Sequence, residues 1–323
     1  MIARAMYNRR WPRGRNGDPG LCDFEVLTMR HTDSHCGVSV IGRREFLIGS
    51  AAAASLVKAA QAPDAATRAK LDRISVMSNG FGSIMPEIWD RSKEVLPKQL
   101  DMMDLPDALA DRLHLHNLEV CNINLLSMEP SYIKRFRERL DKATSKAVNL
   151  VLEIDPPETS YRGRISVCSP DPAIRAQALE TTKQWIDIAA VLGAPSIMPN
   201  QGVAYLTEDL APAIEGLKAL ADYGKTKNVL VILEPRRMPL EKVVSLIKAT
   251  GLYANPHAGP EPQLRALLPF APTVQHVSSR SDIVTAVRIS KEMGFKGWYS
   301  LEAGGADPWS SMQKVIDALL ANL

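Results

Sequence analysis

Cysteine is scarce, with four in 323 residues, and Cys22 and Cys36 fall in the first forty positions. Cys121 and Cys168 belong to no C-x-x-C pair. That excludes a disulfide framework and a zinc finger, and leaves small core residues as their reading. Aromatic residues make up only 6% of the chain, but the hydrophobic share of 46% is that of an ordinary globular protein with a sizeable core. An excess of one charge is also missing from most of the chain. The formal net charge is +3, yet residues 1–62 hold nine Arg/Lys against five Asp/Glu, leaving 30 against 31 for the rest. A nearly neutral folded part gives no electrostatic reason to expect nucleic acid as a partner. No apolar run is long enough to span a bilayer. Histidine is rare too, six in all, so each one outside the leader is worth placing.

The basic excess lies in a leader. Arg43-Arg44 precede Phe46-Leu47, an apolar run continues through Val57, a lone Lys58 follows, and Ala60-Gln61-Ala62 forms an A-x-A site. A charged region, a short apolar region and small residues at a cleavage point make a secretory signal. The paired arginines with Phe-Leu resemble the twin-arginine export signal, which implies the twin-arginine export machinery as a partner and a periplasmic or other extracytoplasmic location. An uncut membrane anchor is the competing reading. Residues 1–62 are therefore expected to be removed, with the mature domain at 63–323. Export in the folded state often accompanies a cofactor inserted beforehand, so the leader also points to a cofactor.

From Leu71 onward the chain alternates. Short apolar β-rich runs are expected as strands at 74–77, 118–123, 149–154, 196–199, 229–233, 252–254, 273–277 and 297–301. Amphipathic stretches lie between them, most plainly "DPAIRAQALETTKQWIDIAAVLGA", with Asp171 as N-cap and Gly193 as stop. Strand–helix repetition implies parallel strands with crossover helices, and eight units in about 250 residues is the size of a single (β/α)8 TIM barrel. A doubly wound sheet is the competitor. It is disfavoured because "SNGFGS" after the first strand lacks the G-x-G-x-x-G spacing.

In a (β/α)8 barrel the chemistry belongs to the C-terminal strand ends. Strand 5 ends in Glu234, strand 6 runs through "YANPHAG" into His257, strand 7 carries His276, and strand 8 ends in Glu302. Neighbouring strands lie about 4.8 Å apart, so four such side chains at one level could converge on one point. Two Glu and two His suit a divalent ion, Mn, Zn, Co or Fe. Singly each has a plainer role: a solvated strand-end charge, a turn residue beside Pro256, a barrel-lining histidine. His114 and His116 precede strand 2 at the opposite end of the barrel, where residues serve stability.

These strand-end residues, together with "LPDALADRLHLHNLEVCNIN" and "DPAIRAQALETTKQWIDIAAVLGAPSIMPN", give most of 71–323 a resemblance to the xylose isomerase-like TIM-barrel superfamily. The resemblance is to exported sugar phosphate isomerase/epimerase proteins in particular. It implies a divalent metal held by Glu, Asp, His and Glu from strands 5 to 8, with the two glutamates moving protons at adjacent carbons. Glu234, His276 and Glu302 match the first, third and fourth, and His257 stands where the Asp is expected. Pro235-Arg236 also replaces an Asn-His, and Ser278 a lysine. The implied activity is isomerisation or epimerisation of a keto sugar, sugar phosphate or hydroxy-keto acid, a small-molecule carbohydrate. Glu234 and Glu302 would be acid and base, and His257 and His276 ligands only. Arg236, Arg280 and Asn200 are candidates to hold substrate oxygens, and relatives suggest a homo-oligomer. The competing expectations are a non-catalytic carbohydrate-binding barrel, a metal-dependent lyase or hydrolase on oxidised sugars, and, least favoured, a phosphodiesterase acting at abasic DNA.

Overall fold

The computed structural model describes residues 62–154, 165–200, 209–235 and 238–323. The leader, its signal and the Arg236 candidate lie outside the described residues. Eight parallel strands are present: β1 Ile74–Met77, β2 Asn117–Cys121, β3 Lys146–Glu153, β4 Ser196–Asn200, β5 Leu230–Leu233, β6 Tyr253–Ala254, β7 Val274–Ser278 and β8 Trp298–Glu302. A short α1, Ala65–Leu71, leads in. After that every strand is followed by a helix: α2 Leu105–Leu113, α3 Pro130–Lys142, α4 Pro172–Leu192, α5 Ala211–Thr226, α6 Leu240–Thr250, α7 Glu261–Leu267, α8 Ile283–Glu292 and α9 Pro308–Asn322. The sheet order is β6-β5-β4-β3-β2-β1-β8-β7. This is the expected (β/α)8 barrel, and no described helix is long and apolar enough to cross a membrane.

The helix ends follow from local chemistry. Asp171 caps α4 by accepting from the backbone N–H groups of Ala173 and Ile174, and Gly193 ends the helix at φ 71°. A left-handed residue there satisfies the last carbonyls at least cost for glycine. β1 lies where expected, and the other strand limits differ from expectation by at most three residues. The largest shift is β3, which begins at the exposed Lys146 instead of Asn149 because its first residues complete the ladder to β2. Conversely, Asn122–Asn124 turns into a 3-10 helix instead of extending β2.

Alternation sorts the side chains. In β8, Tyr299 and Leu301 join the large apolar cluster between strands and helices, while Trp298, Ser300 and Glu302 take the inner face. Met77, Cys121, Ile123, Val148, Val151, Met198, Ile232 and Val274 form a separate apolar cluster inside the barrel. Cys121 and Cys168 are buried and free. The sheet edges meet through the segment after β6: the Ala258 N–H donates to the His276 carbonyl at 2.8 Å, and the His276 N–H donates to the Pro256 carbonyl at 2.9 Å. His257 and His276 are thus a parallel bridge pair, and the "NPHAG" stretch is what joins β6 to β7.

Candidate metal centre

Glu234 follows the last residue of β5 and is only 4% exposed. His257 is positioned by the bridge just described, and His276 stands mid-way along β7, 2% exposed. The backbone pairing of 257 with 276 sets their rings edge to face, with centroids 5.0 Å apart and planes at 70°. His257 donates from Nε2 to Glu234 Oε1 at 2.6 Å. One ligand atom each from Glu234, His257 and His276 falls within a mutual 4.8 Å.

Glu302 corrects the expectation of four side chains at one level. In the β7–β8 register His276 stands opposite Ser300, and Glu302 stands opposite Ser278, two residues farther on. Its carboxylate lies outside the 4.8 Å group and reaches only the flank of His257, with Oε2 4.0 Å from Nδ1. Three corners converge and the fourth stands off.

His276 faces inward to a residue that strand-end reasoning does not select. Its Nε2 donates to both oxygens of Glu119, each at 3.0 Å. Glu119 is fully buried mid-way along β2. It also accepts from Ser300 Oγ and from Asn149 Nδ2 at 2.6 Å, and Asn149 accepts in turn from Ser196 Oγ at 2.7 Å. Asn149 faces Glu119 because the β2–β3 register shifts: Leu118 pairs with Ala147, but Glu119 pairs with Asn149. Such bulges re-aim side chains beside functional sites. The carboxamide nitrogen of Asn255 adds contacts of 3.0 and 3.3 Å to the imidazole nitrogens. Burial lowers the basicity of His276. The charge and hydrogen bonds of Glu119, with Glu302 and Glu234 behind it, override that and lift the imidazole to about 9. Burial raises the Glu119 carboxyl, but the His276 charge and the hydrogen bonds from His276, Ser300 and Asn149 hold it below the usual value. The one available signal is the spacing of polar Asn117 and Glu119 two residues apart in a strand otherwise apolar.

The donor set fits a borderline divalent ion, being imidazole nitrogen and carboxylate oxygen on rigid strand ends. With one of its two protons displaced by an ion, His276 would hold the other on Nε2 against Glu119 and present Nδ1 as the ligand nitrogen, the tautomer that a carboxylate partner fixes in metal sites. His257 and Glu234 would exchange their mutual hydrogen bond for the ion. A cavity of about 540 Å³ opens on one side, lined by Pro235, Met238, His257, Pro260 and Gln263 among others. A second of about 440 Å³ lies on the other side, where Asn79, Ser83, Glu87 and Glu302 meet Gly304 and Gly305. Of the other candidates, Asn200 ends β4, with its side chain outside the described residues, and Arg280 is exposed after β7. His114 and His116 lie before β2 as expected: His114 ends α2 at φ 56°, and His116 Nδ1 is 3.1 Å from the Ala143 carbonyl oxygen.

The same arrangement of strands recurs in solved structures. D-allulose 3-epimerase from Methylomonas sp., in complex with D-allulose, superposes with a TM-score of 0.58 at 12% identity, over 78% of this chain and 98% of that one. The 3-keto-D-glucoside 4-epimerase of E. coli gives 0.56 at 12% identity, over 78% and 99%. A xylose isomerase-like TIM barrel protein from Mycobacterium smegmatis, in complex with magnesium, gives 0.54 at 15%, over 78% and 97%. At these identities the likeness is one of fold. No curated protein sequence matches the chain. The sequence model of one family spans residues 76–249, from the first strand to the end of the fifth βα unit, and with that match over more than half its length the chain belongs to the xylose isomerase-like TIM barrel family.

Proposed function

We propose that this barrel is a metal-dependent isomerase or epimerase that moves a proton beside the carbonyl of a keto sugar, sugar phosphate or hydroxy-keto acid. The observation that carries the reading is the convergence of Glu234, His257 and His276 within 4.8 Å, with Glu302 on the flank of His257. A divalent ion held by Glu234, His257 and His276, with Glu302 beside it, would supply Lewis acidity at the substrate oxygens. His257 stands between the two carboxylates, its Nε2 on Glu234 and its Nδ1 4.0 Å from Glu302. The carboxylates therefore lie on opposite sides of one imidazole, the placement in which one removes a proton and the other returns it on the neighbouring face or carbon. Glu302 lines the 440 Å³ cavity and is 35% exposed, so it can meet substrate directly. Glu234 is nearly shielded from water, 4% exposed at the end of β5. Structural neighbours that are sugar epimerases, one of them holding D-allulose, support a carbohydrate substrate.

Deuterium uptake from D₂O into a panel of keto sugars, with Mn²⁺, Co²⁺ or Zn²⁺ supplied, tests the reading. The wild-type chain is expected to exchange, and Glu302→Gln to slow exchange by about 10²–10⁴-fold while still binding metal, because Glu302 stands outside the three-residue cluster. Full exchange in Glu302→Gln removes it as the base. No bound ion and no thermal stabilisation by any of the three metals would overturn the metal reading, and would favour a sugar-binding barrel whose Glu234–His257 hydrogen bond stays closed. Export is part of the same proposal. The expected mature N-terminus is Pro63 in the extracytoplasmic fraction, and mass spectrometry showing the intact leader there would contradict it.

A further inference from the structure

We propose that Glu119 is the positioning residue of this centre, fixing the ring and the tautomer of His276 so that Nε2 carries the proton and Nδ1 is left as the ligand nitrogen. The inference rests on the metal reading of the site.

Barrel interiors of this class are filled mainly by branched apolar side chains. Here a fully buried carboxylate occupies the middle of β2, and its neighbours across the interior are Asn149, Ser196, His276 and Ser300, all buried polar residues. Replacing a buried ionic cluster with apolar side chains is often neutral or stabilising, so stability alone is a weak reason for it. The geometry supplies another. Both Glu119 oxygens lie 3.0 Å from one nitrogen of His276, and the carboxylate cannot swing away because Ser300 and Asn149 hold it from two other strands. Asn149 reaches it only through the register shift between β2 and β3, and is itself pinned by Ser196. Side chains from β2, β3, β4 and β8 thus form one chain of hydrogen bonds that ends on a single imidazole nitrogen. Of these linked residues, His276 alone belongs to the Glu234–His257–His276 cluster. A carboxylate behind a ligating histidine sets which nitrogen faces the ion and raises its basicity, and losing it costs roughly 10–100-fold in metal affinity.

Calorimetric titration of the mature chain with Mn²⁺ tests the proposal, alongside nitrogen-15 NMR of the histidine side chains in metal-free protein. Glu119→Gln is expected to weaken Mn²⁺ binding by about 10–100-fold and Glu119→Ala by more. In the metal-free wild type above about pH 9, where His276 is neutral, the ring is expected to show one slowly exchanging Nε2 proton, lost or weakened in Glu119→Gln. A folded Glu119→Gln protein with wild-type Mn²⁺ affinity and an unchanged His276 spectrum would overturn the proposal. If the wild type takes up no Mn²⁺, Co²⁺ or Zn²⁺, the metal reading fails by itself. The NMR arm then decides Glu119 alone: a changed His276 proton in the variant supports the fixing role, and an unchanged one refutes it. Should Glu119→Gln not fold, Ser300→Ala removes one support of Glu119 while leaving its pair with His276. That variant is expected to lose a few-fold in Mn²⁺ affinity, and an unchanged affinity and spectrum would count against the proposal.

Discussion

An imidazole in place of a carboxylate takes one negative charge out of a metal centre and makes its donor set softer. In the proposed centre His257 is that imidazole, standing where the family resemblance implies an aspartate, and its two ring nitrogens face Glu234 at 2.6 Å and Glu302 at 4.0 Å. The variant His257→Asp introduces a carboxylate and removes the Nε2 donor that hydrogen-bonds Glu234. Without metal, the introduced carboxylate would face Glu234 as a like charge, so the metal-free melting temperature should fall. With metal, calorimetric titration should show the ratio of Zn²⁺ to Mn²⁺ affinity dropping by about tenfold or more, since oxygen donors favour harder ions. An unchanged ratio would show that His257 does not touch the ion. Glu234, His257, His276 and Glu302 are legible in the sequence because each ends, follows or lies within an apolar β-rich run, and the fold class says where such ends gather. Glu119 is not legible that way. It sits inside "NLEVC", and only the bulge that turns Asn149 toward it, a feature of two strands together, shows that it belongs to the site.

At the scale of elements, periodicity and caps carry most of the assignment, and what they miss is contact between elements. The eight strands and the long α4 with its Asp171 cap follow from local pattern. The start of β3 and the early end of β2 do not, because ladder partners decide them. Gly216 is a similar case. A glycine inside the amphipathic pattern "AIEGLKALADYGK" reads as a weak spot in a helix, costing about 1 kcal/mol relative to alanine. In the structure a β-carbon there would lie 1.9 Å from the Val167 carbonyl oxygen and 2.8 Å from its carbon. Backbone cannot move aside as a flexible side chain does, so α5 approaches the segment before α4 only because residue 216 has no side chain. Gly216→Ala should therefore destabilise the protein by about 1–3 kcal/mol through overpacking, in spite of alanine's better helix propensity. Urea denaturation checks it, and a variant as stable as wild type would mean that α5 and this segment are not so closely seated.

For the whole molecule, the His276–Glu119 pair ties the barrel interior to pH. His276 titrates at about 9 in the folded protein, against 6.5 for the free imidazole. A group whose folded value is raised binds its proton more tightly when folded, so its contribution is complete below about 6.5 and is lost as pH rises through about 9. Glu119 works in the opposite direction. Its folded value lies below the ordinary 4.5, so its contribution is complete above that value and is lost as pH falls through the lower one. The metal-free protein should therefore be most stable between these limits. Its melting temperature in chelator-containing buffer should decline from near neutral pH toward pH 9 and flatten beyond. The decline has structural consequences because His276 is also half of the bridge that joins β6 to β7, so loss of the pair loosens the seam where the barrel closes. His276→Gln, which cannot titrate, should be less stable throughout, with Glu119 left buried without its counter-charge, and should show no alkaline decline. If wild type and His276→Gln lose stability in parallel over this range, the charge pair does not govern the seam, and the closure of the barrel depends on backbone hydrogen bonds alone.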